Sequence, residues 1–415
     1  MSDGSDGHPH PAPARRPRDP RLDVFRGLGM FIIFIAHVPW NSWTDWIPAR
    51  FGFSDAADMF VFCSGMASAI AFGRIFAEQG WWLGTARIAH RVWQVYWAHI
   101  GSFLVVMAMM VAADQALGVD HYVREELNLA SFFDEPRIHL LGLMTLTYVP
   151  NYFDILPMYL VILAMAPAVV GLARFHKGLA AAAVLTAWAA AQFGLDFVAD
   201  PMTGRPWFFN PFGWQIVFFT GFAFAHGWLP PPPRDARLVV LAIALVVLAA
   251  PVSCQHGFSC FAGWGSAPVL GDIHDALAPA IDKINMGPLR YIHFLATAYL
   301  AFVAVGVGGA NLRGPVVELF RRVGQQTLAV FLAGLVASQL MGILLDVIGR
   351  TALTTAFANL LGCAMLVATA WVVAWFKAPP WRKPPAGRRE AKPHETRSGA
   401  EPRDARGLAA SPQHG

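Results

Sequence analysis

The chain has 415 residues, of which 56% are hydrophobic and 14% charged, and its mean hydropathy is +0.45. That balance excludes an ordinary soluble domain and points to an integral membrane protein. The formal charge of +4 comes mostly from two tails and short loops, with no basic stripe interleaved with aromatics, so it bears on membrane topology and not on a nucleic-acid partner. Residues 1–22 are polar, proline-rich and basic, and the apolar run behind them lacks a small-residue cleavage site. They read as a disordered tail with no removable signal peptide.

Apolar runs of about 20 residues, the length needed to cross hydrocarbon, follow near 24–40, 55–77, 91–113, 155–174, 178–195, 212–229, 236–252, 289–309, 325–348 and 354–376. The stretch 138–149 is apolar but only about half as long as a span requires. From 377 to 415 proline and charge dominate, which predicts a second disordered tail. Cys63 and Cys363 lie in apolar runs, where a thiol packs as a small hydrophobe. Cys254 and Cys260 share a loop and form a candidate disulfide if that loop faces an oxidising compartment.

Charge selects among the possible topologies. With ten crossings and both termini cytoplasmic, the inner side receives Arg15, Arg16, Arg18, Arg74, Arg87, Arg91, Arg174, Lys177, Arg234, Arg237, Arg313, Arg321, Arg322 and the basic C-terminal tail. The outer side receives fewer cations: Arg50, Arg124, Arg137, Arg205, Lys283 and Arg350. An eleventh crossing at 138–149 would turn the pairs Arg174/Lys177, Arg234/Arg237 and Arg321/Arg322 outward, against the positive-inside rule. The segment is therefore expected to re-enter or to lie on the outer face. The expected fold is all-α, with residues 23–376 forming one multi-pass domain.

The first predicted helix contains Asp23, Arg26 and His37. Eleven positions separate Arg26 from His37, which returns them to nearly the same helix face about 16 Å apart along the axis. Ionisable groups at membrane depth normally face a cavity or a partner. The ordinary alternatives are an Asp23–Arg26 pair, an Arg26 that snorkels to the headgroups, and a His37 satisfied by a neighbouring helix. Asp55 and Asp58 begin the second helix at the His37 end. Asp58 is the candidate to orient the imidazole as a general base, whereas Asp55 also reads as a helix cap. Ser64 and Gly65 lie deeper, where small residues allow close approach or simple packing.

The blocks "DVFRGLGMFIIFIAHVPWN", "FGFSDAADMFVFCSGMASAIAFG", "RVWQVYWAHI", "ILPMYLVILAMAP", "FNPFGWQIVFFTG" and "GPLRYIHFLATAYL" together resemble the OpgC family, membrane proteins that substitute osmoregulated periplasmic glucans with acyl groups such as succinyl. The Arg, ten residues, His pattern with the following "FVFCSG" is also similar to the wider membrane acyltransferase superfamily that includes acyltransferase family 3. The resemblance covers about residues 19–376 and implies about ten spanning helices in a bacterial inner membrane. It implies that His37 is the catalytic histidine and Arg26 the other half of its motif. Asp58 stands where the family is expected to carry Glu more often, so its reach differs.

An acyl-CoA donor, succinyl-CoA in the family, is cytoplasmic, while a glucan hydroxyl is periplasmic. The expectation is that Arg26, Asp23 and Ser64, together with Arg87 and Arg91 as phosphate clamps, hold a donor whose thioester reaches His37. Asn41, Asp55, Asn151, Asp154, Gln215, Arg290 and His293 are candidate acceptor-binding or carbonyl-polarising groups. Direct attack and a covalent acyl-imidazole on His37 remain equally open. Acyl-CoA is a co-substrate, and no permanently bound cofactor or metal is expected. The rival reading is a polytopic transporter using Asp, Arg and His as a proton or substrate relay. A lipid-linked sugar transferase ranks behind both, for want of an acidic metal-binding pair on an outer loop.

Overall fold

The computed structural model describes residues 19–127, 129–253, 267–378 and 381. The chain divides into two units, Met1–Ala374 and Trp375–Gly415, and the first carries the elements that build the site. Fourteen α-helices occur among the described residues, joined by short 3-10 and π turns. No strand is present among those residues, only one isolated antiparallel bridge between Val198 and Pro206. Cys254, Cys260 and nearly all of both expected tails lie outside the described residues. Cys63 and Cys363 are free thiols.

Helix α1 (Pro20–His37) starts where the Asp19 carboxylate accepts the Arg21 N–H, and it stops at extended Val38, just ahead of Pro39. Helix α2 (Ala56–Glu78) opens on a capping box in which Asp55 and Asp58 each satisfy the other's end of the first turn. Helix α3 (Trp81–Leu117) runs 37 residues to a left-handed C-cap at Gly118. Short α4 (Ala130–Asp134) and α5 (Pro136–Thr145) follow. Ten residues of α5 extend only about 15 Å, too short to cross a bilayer, as its apolar length predicted. The chain after it is tied back when the Val149 N–H donates to the Ala199 carbonyl and the Arg205 guanidinium donates to the Val149 carbonyl.

The remaining helices are α6 (Ile155–Phe175), α7 (Lys177–Gln192), α8 (Pro211–His226), α9 (Ala236–Val252), α10 (Pro268–Ile281), α11 (Pro288–Ala304), α12 (Pro315–Gln325), α13 (Thr327–Ile348) and α14 (Ala352–Lys377). Each of the ten runs anticipated as a crossing falls on a helix, and five helices (α2, α3, α6, α13, α14) are long and apolar enough to span a membrane. Three helices had no apolar run to announce them: short α4, α10, and amphipathic α12 with its Arg321 and Arg322 paired to Glu318.

The densest packing is α2 against α8 and α1 against α12, with α13 also on α1. Glycine makes the first two crossings possible. A Cβ on Gly65 would lie 1.9 Å from the Phe218 carbonyl oxygen, and one on Gly221 2.2 Å from that of Phe62. Gly27 and Gly324 do the same for α1 and α12, which brings buried Asp23 against the α12 backbone.

Candidate functional site

His37 occupies the last turn of α1, and its Nδ1 lies 2.6 Å from the Ile33 carbonyl oxygen. A carbonyl only accepts, so in the neutral ring Nδ1 carries the proton and Nε2 keeps its lone pair. The same helix end is fixed from outside. Gln339 donates to the His37 carbonyl at 3.3 Å, and Arg350 donates to the Pro39 carbonyl at 2.7 Å. Tyr152, held at a φ of 68°, sets its ring 5.2 Å from the imidazole and tilted by 53° to it.

Below His37 a narrow apolar crevice runs between α1 and α13, lined on α1 by Met30, Ile33, Phe34 and His37, and on α13 by Val330, Phe331, Gly334 and Leu335. Residues 30, 33, 34 and 37 form one helical stripe, and half-buried Arg26 continues it one turn earlier. Arg26 and His37 therefore stand at opposite ends of one stripe of α1, and the crevice lines its His37 half.

The N-terminus of α2 meets the start of α11 in a four-charge cluster. Arg290 reaches Asp58 with two nitrogens, at 2.5 Å and 3.2 Å, and Asp55 with one at 3.1 Å. Lys283 adds a 2.7 Å bond to Asp55. The second Asp58 oxygen also accepts the Asp55 N–H at 2.8 Å. Two cations and two carboxylates thus neutralise each other, the condition on which a buried charge is tolerated. The cluster stands at the same end of the first two helices as His37, because α1 packs on α2 with Gly29 facing the Met59 side chain in the first turn of α2.

This arrangement corrects the expected role of Asp58. Its carboxylate is committed to Arg290 and to the helix cap, and the group that orients His37 is the Ile33 carbonyl. Asp55 is the helix cap and also the anchor of Lys283. Other sequence-predicted residues divide between structure and the site. Asn41 is spent on a reciprocal amide pair with Asn359 of α14, at 2.8 and 3.0 Å, and on capping the turn after α1. Gln215 donates to the Val184 and Phe212 carbonyls, tying α8 to α7. Both hold helices together through these bonds, and the Gln215 Oε1 stays buried without a hydrogen-bond partner. Ser64 is buried beside Gly65 at the α2–α8 crossing.

His293, one turn beyond Arg290, pairs Nδ1 with the Ser54 hydroxyl at 2.8 Å, and Gly52 leaves room for its ring. Asn151 is exposed in the turn that precedes Tyr152, while Asp154 is buried at the foot of α6. Burial pushes the Asp154 carboxyl up to about 7, with the Arg205 charge and the Phe208 N–H opposing. At the other end of the bundle, Arg87 is exposed and Arg91 is half-buried near Gln94, both on the first turns of α3.

Sequence reading passed over Ser54, Tyr152 and Lys283 as site residues. Only Lys283 left a signal, as a cation on the side where the topology disfavours one. Among the described residues no group of His, Cys, Asp and Glu is arranged to hold a metal ion.

Helices throughout the described residues, five of them long and apolar enough to cross a membrane, define a multi-pass membrane protein. It belongs to the OpgC family, whose model, described as OpgC protein, matches residues 18–378. No curated protein and no solved structure matches the chain.

Proposed function

We propose that this protein is an O-acyltransferase of a bacterial inner membrane, moving an acyl group, succinyl by family analogy, from cytoplasmic acyl-CoA to hydroxyls of periplasmic glucans. In this reading the chain crosses ten times with both termini cytoplasmic, α12 lies at the inner face, and α5 and α10 lie at the outer one. The observation that carries the proposal is the single stripe of α1 on which Arg26 and His37 both lie, with an apolar crevice along its His37 half. The interval of about 16 Å suits an extended thiol arm whose nucleotide end stays inside with Arg26, Arg87 and Arg91.

At the outer end His37 Nε2 takes the proton of a sugar hydroxyl as its oxygen attacks the thioester carbonyl. The new C–O ester bond forms, the C–S bond breaks, and the imidazolium returns the proton to the departing CoA thiolate. The Ile33 carbonyl keeps the base in the required tautomer. His293 and Asn151 remain the candidates for contact with the acceptor.

The test replaces His37 with Ala and weighs the periplasmic glucans by mass spectrometry. The expected outcome is loss of the ester-linked groups, by at least a hundredfold for removal of a general base, with the protein still present in the membrane. Glucans that keep their substitution would refute the assignment of the base. A pH-gradient-driven flux without any acylated product would favour a transporter.

A further inference from the structure

We propose that Lys283 selects the acyl group by binding the free carboxylate of a dicarboxylic acyl chain such as succinyl; the inference deepens the acyltransferase reading and rests on it. The turn that carries Lys283 is unusually well fastened. Its four successive carbonyls accept from Trp214 (2.9 Å, to Lys283), the Asn210 N–H (3.0 Å, to Ile284), Gln192 (2.7 Å, to Asn285) and Trp188 (2.8 Å, to Met286). Asp282 caps the turn from within by accepting the N–H groups of Ile284 and Asn285. A lysine on a loop needs none of this for topology, and an outward cation works against it.

The ammonium sits 5.4 and 5.5 Å from the ring centroids of Phe208 and Phe209, which restrict its swing. One of its three N–H donors goes to Asp55, and no other carboxylate engages it among the described residues. Exposure falls from 36% at the Lys283 side chain to 12% at Asp55, 6% at Arg290 and 0% at Asp58. The cluster is neutral in sum but polarised, and an entering ligand meets the ammonium first. Lys283 is held on Asp55 at the start of α2, and α2 packs on α1 with Met59 of its first turn against Gly29, so the ammonium stands at the His37 end of the two helices. An acyl chain whose carbonyl lies at the His37 end therefore has a cation available for a charge at its far end.

The experiment compares succinyl-CoA with butyryl-CoA, which has the same chain length and no terminal charge, using the full-length protein in membranes and glucan as acceptor. Wild type is expected to favour succinyl, and Lys283→Gln to lower the succinyl-to-butyryl ratio of kcat/KM by tenfold or more. Lys283→Arg, which keeps the charge, is expected to retain most of the preference and guards against a Gln variant that fails to insert. An unchanged ratio in Lys283→Gln overturns the inference, as does loss of preference in a stably inserted Lys283→Arg. Equal falls with both donors also overturn it, because they assign Lys283 to the oxyanion or to the fold. A wild-type protein that transfers neither acyl group overturns the acyltransferase reading itself, and this inference with it.

Discussion

At the scale of single residues, the chemistry depends on which buried polar groups are already satisfied. His37 is oriented by its own helix, through a carbonyl one turn back, so the set of its ring does not wait on an acid from another segment. Asp58 illustrates the limit of spacing arguments. The sequence places it correctly near the His37 end of the bundle, yet its partner is 232 residues away in the chain, and nothing local distinguishes an imidazole from a guanidinium as that partner.

Asp154 provides a pH test. Its ordinary carboxyl value is 3.8, and in the fold burial raises it to about 7, so the folded protein binds this proton more tightly than the unfolded chain does. The stability it contributes is full below about pH 4 and is lost as pH rises through about 7. Asp154→Asn, which cannot ionise, should flatten the change in thermal midpoint over that window and raise the midpoint at its neutral end. Parallel profiles for variant and wild type would contradict the assignment.

At the scale of helices, hydrophobic length read well and helix pairing did not. The start of α1 at Asp19 and the cap of α2 follow from local signals that any reader of the chain can find. Amphipathic α12 leaves no apolar run in the chain, because it lies against α1 with only one face apolar. The partners α2–α8 and α1–α12 were likewise hidden, since a glycine marks close approach without naming what approaches. Gly65→Val should prevent accumulation of folded protein, because its Cβ would lie within 2 Å of a backbone oxygen that cannot retreat alone. Gly101, on the exposed side of α3, meets nothing within 4 Å. Gly101→Ala should raise stability by about 0.5–1 kcal/mol. Thermal unfolding in detergent checks both, and similar effects from the two substitutions would contradict the packing described.

At the scale of the whole molecule, the account requires donor and acceptor to stand on opposite sides of one membrane and to meet at His37. The ten-crossing topology proposed for it rests on loop charge, because a bilayer imposes a rule on basic residues that a soluble fold does not. The polarised cluster of Lys283, Asp55, Arg290 and Asp58 was not legible, because it assembles from a turn and two helix starts that only tertiary packing brings together. The most direct test uses sealed vesicles of uniform orientation, with labelled succinyl-CoA confined to the side of Arg26 and glucan to the side of His37. The account expects ester-linked label on the glucan, lost in the His37→Ala variant. Label that appears only when donor and glucan share a side, or that depends on donor supplied at the His37 face, would contradict it.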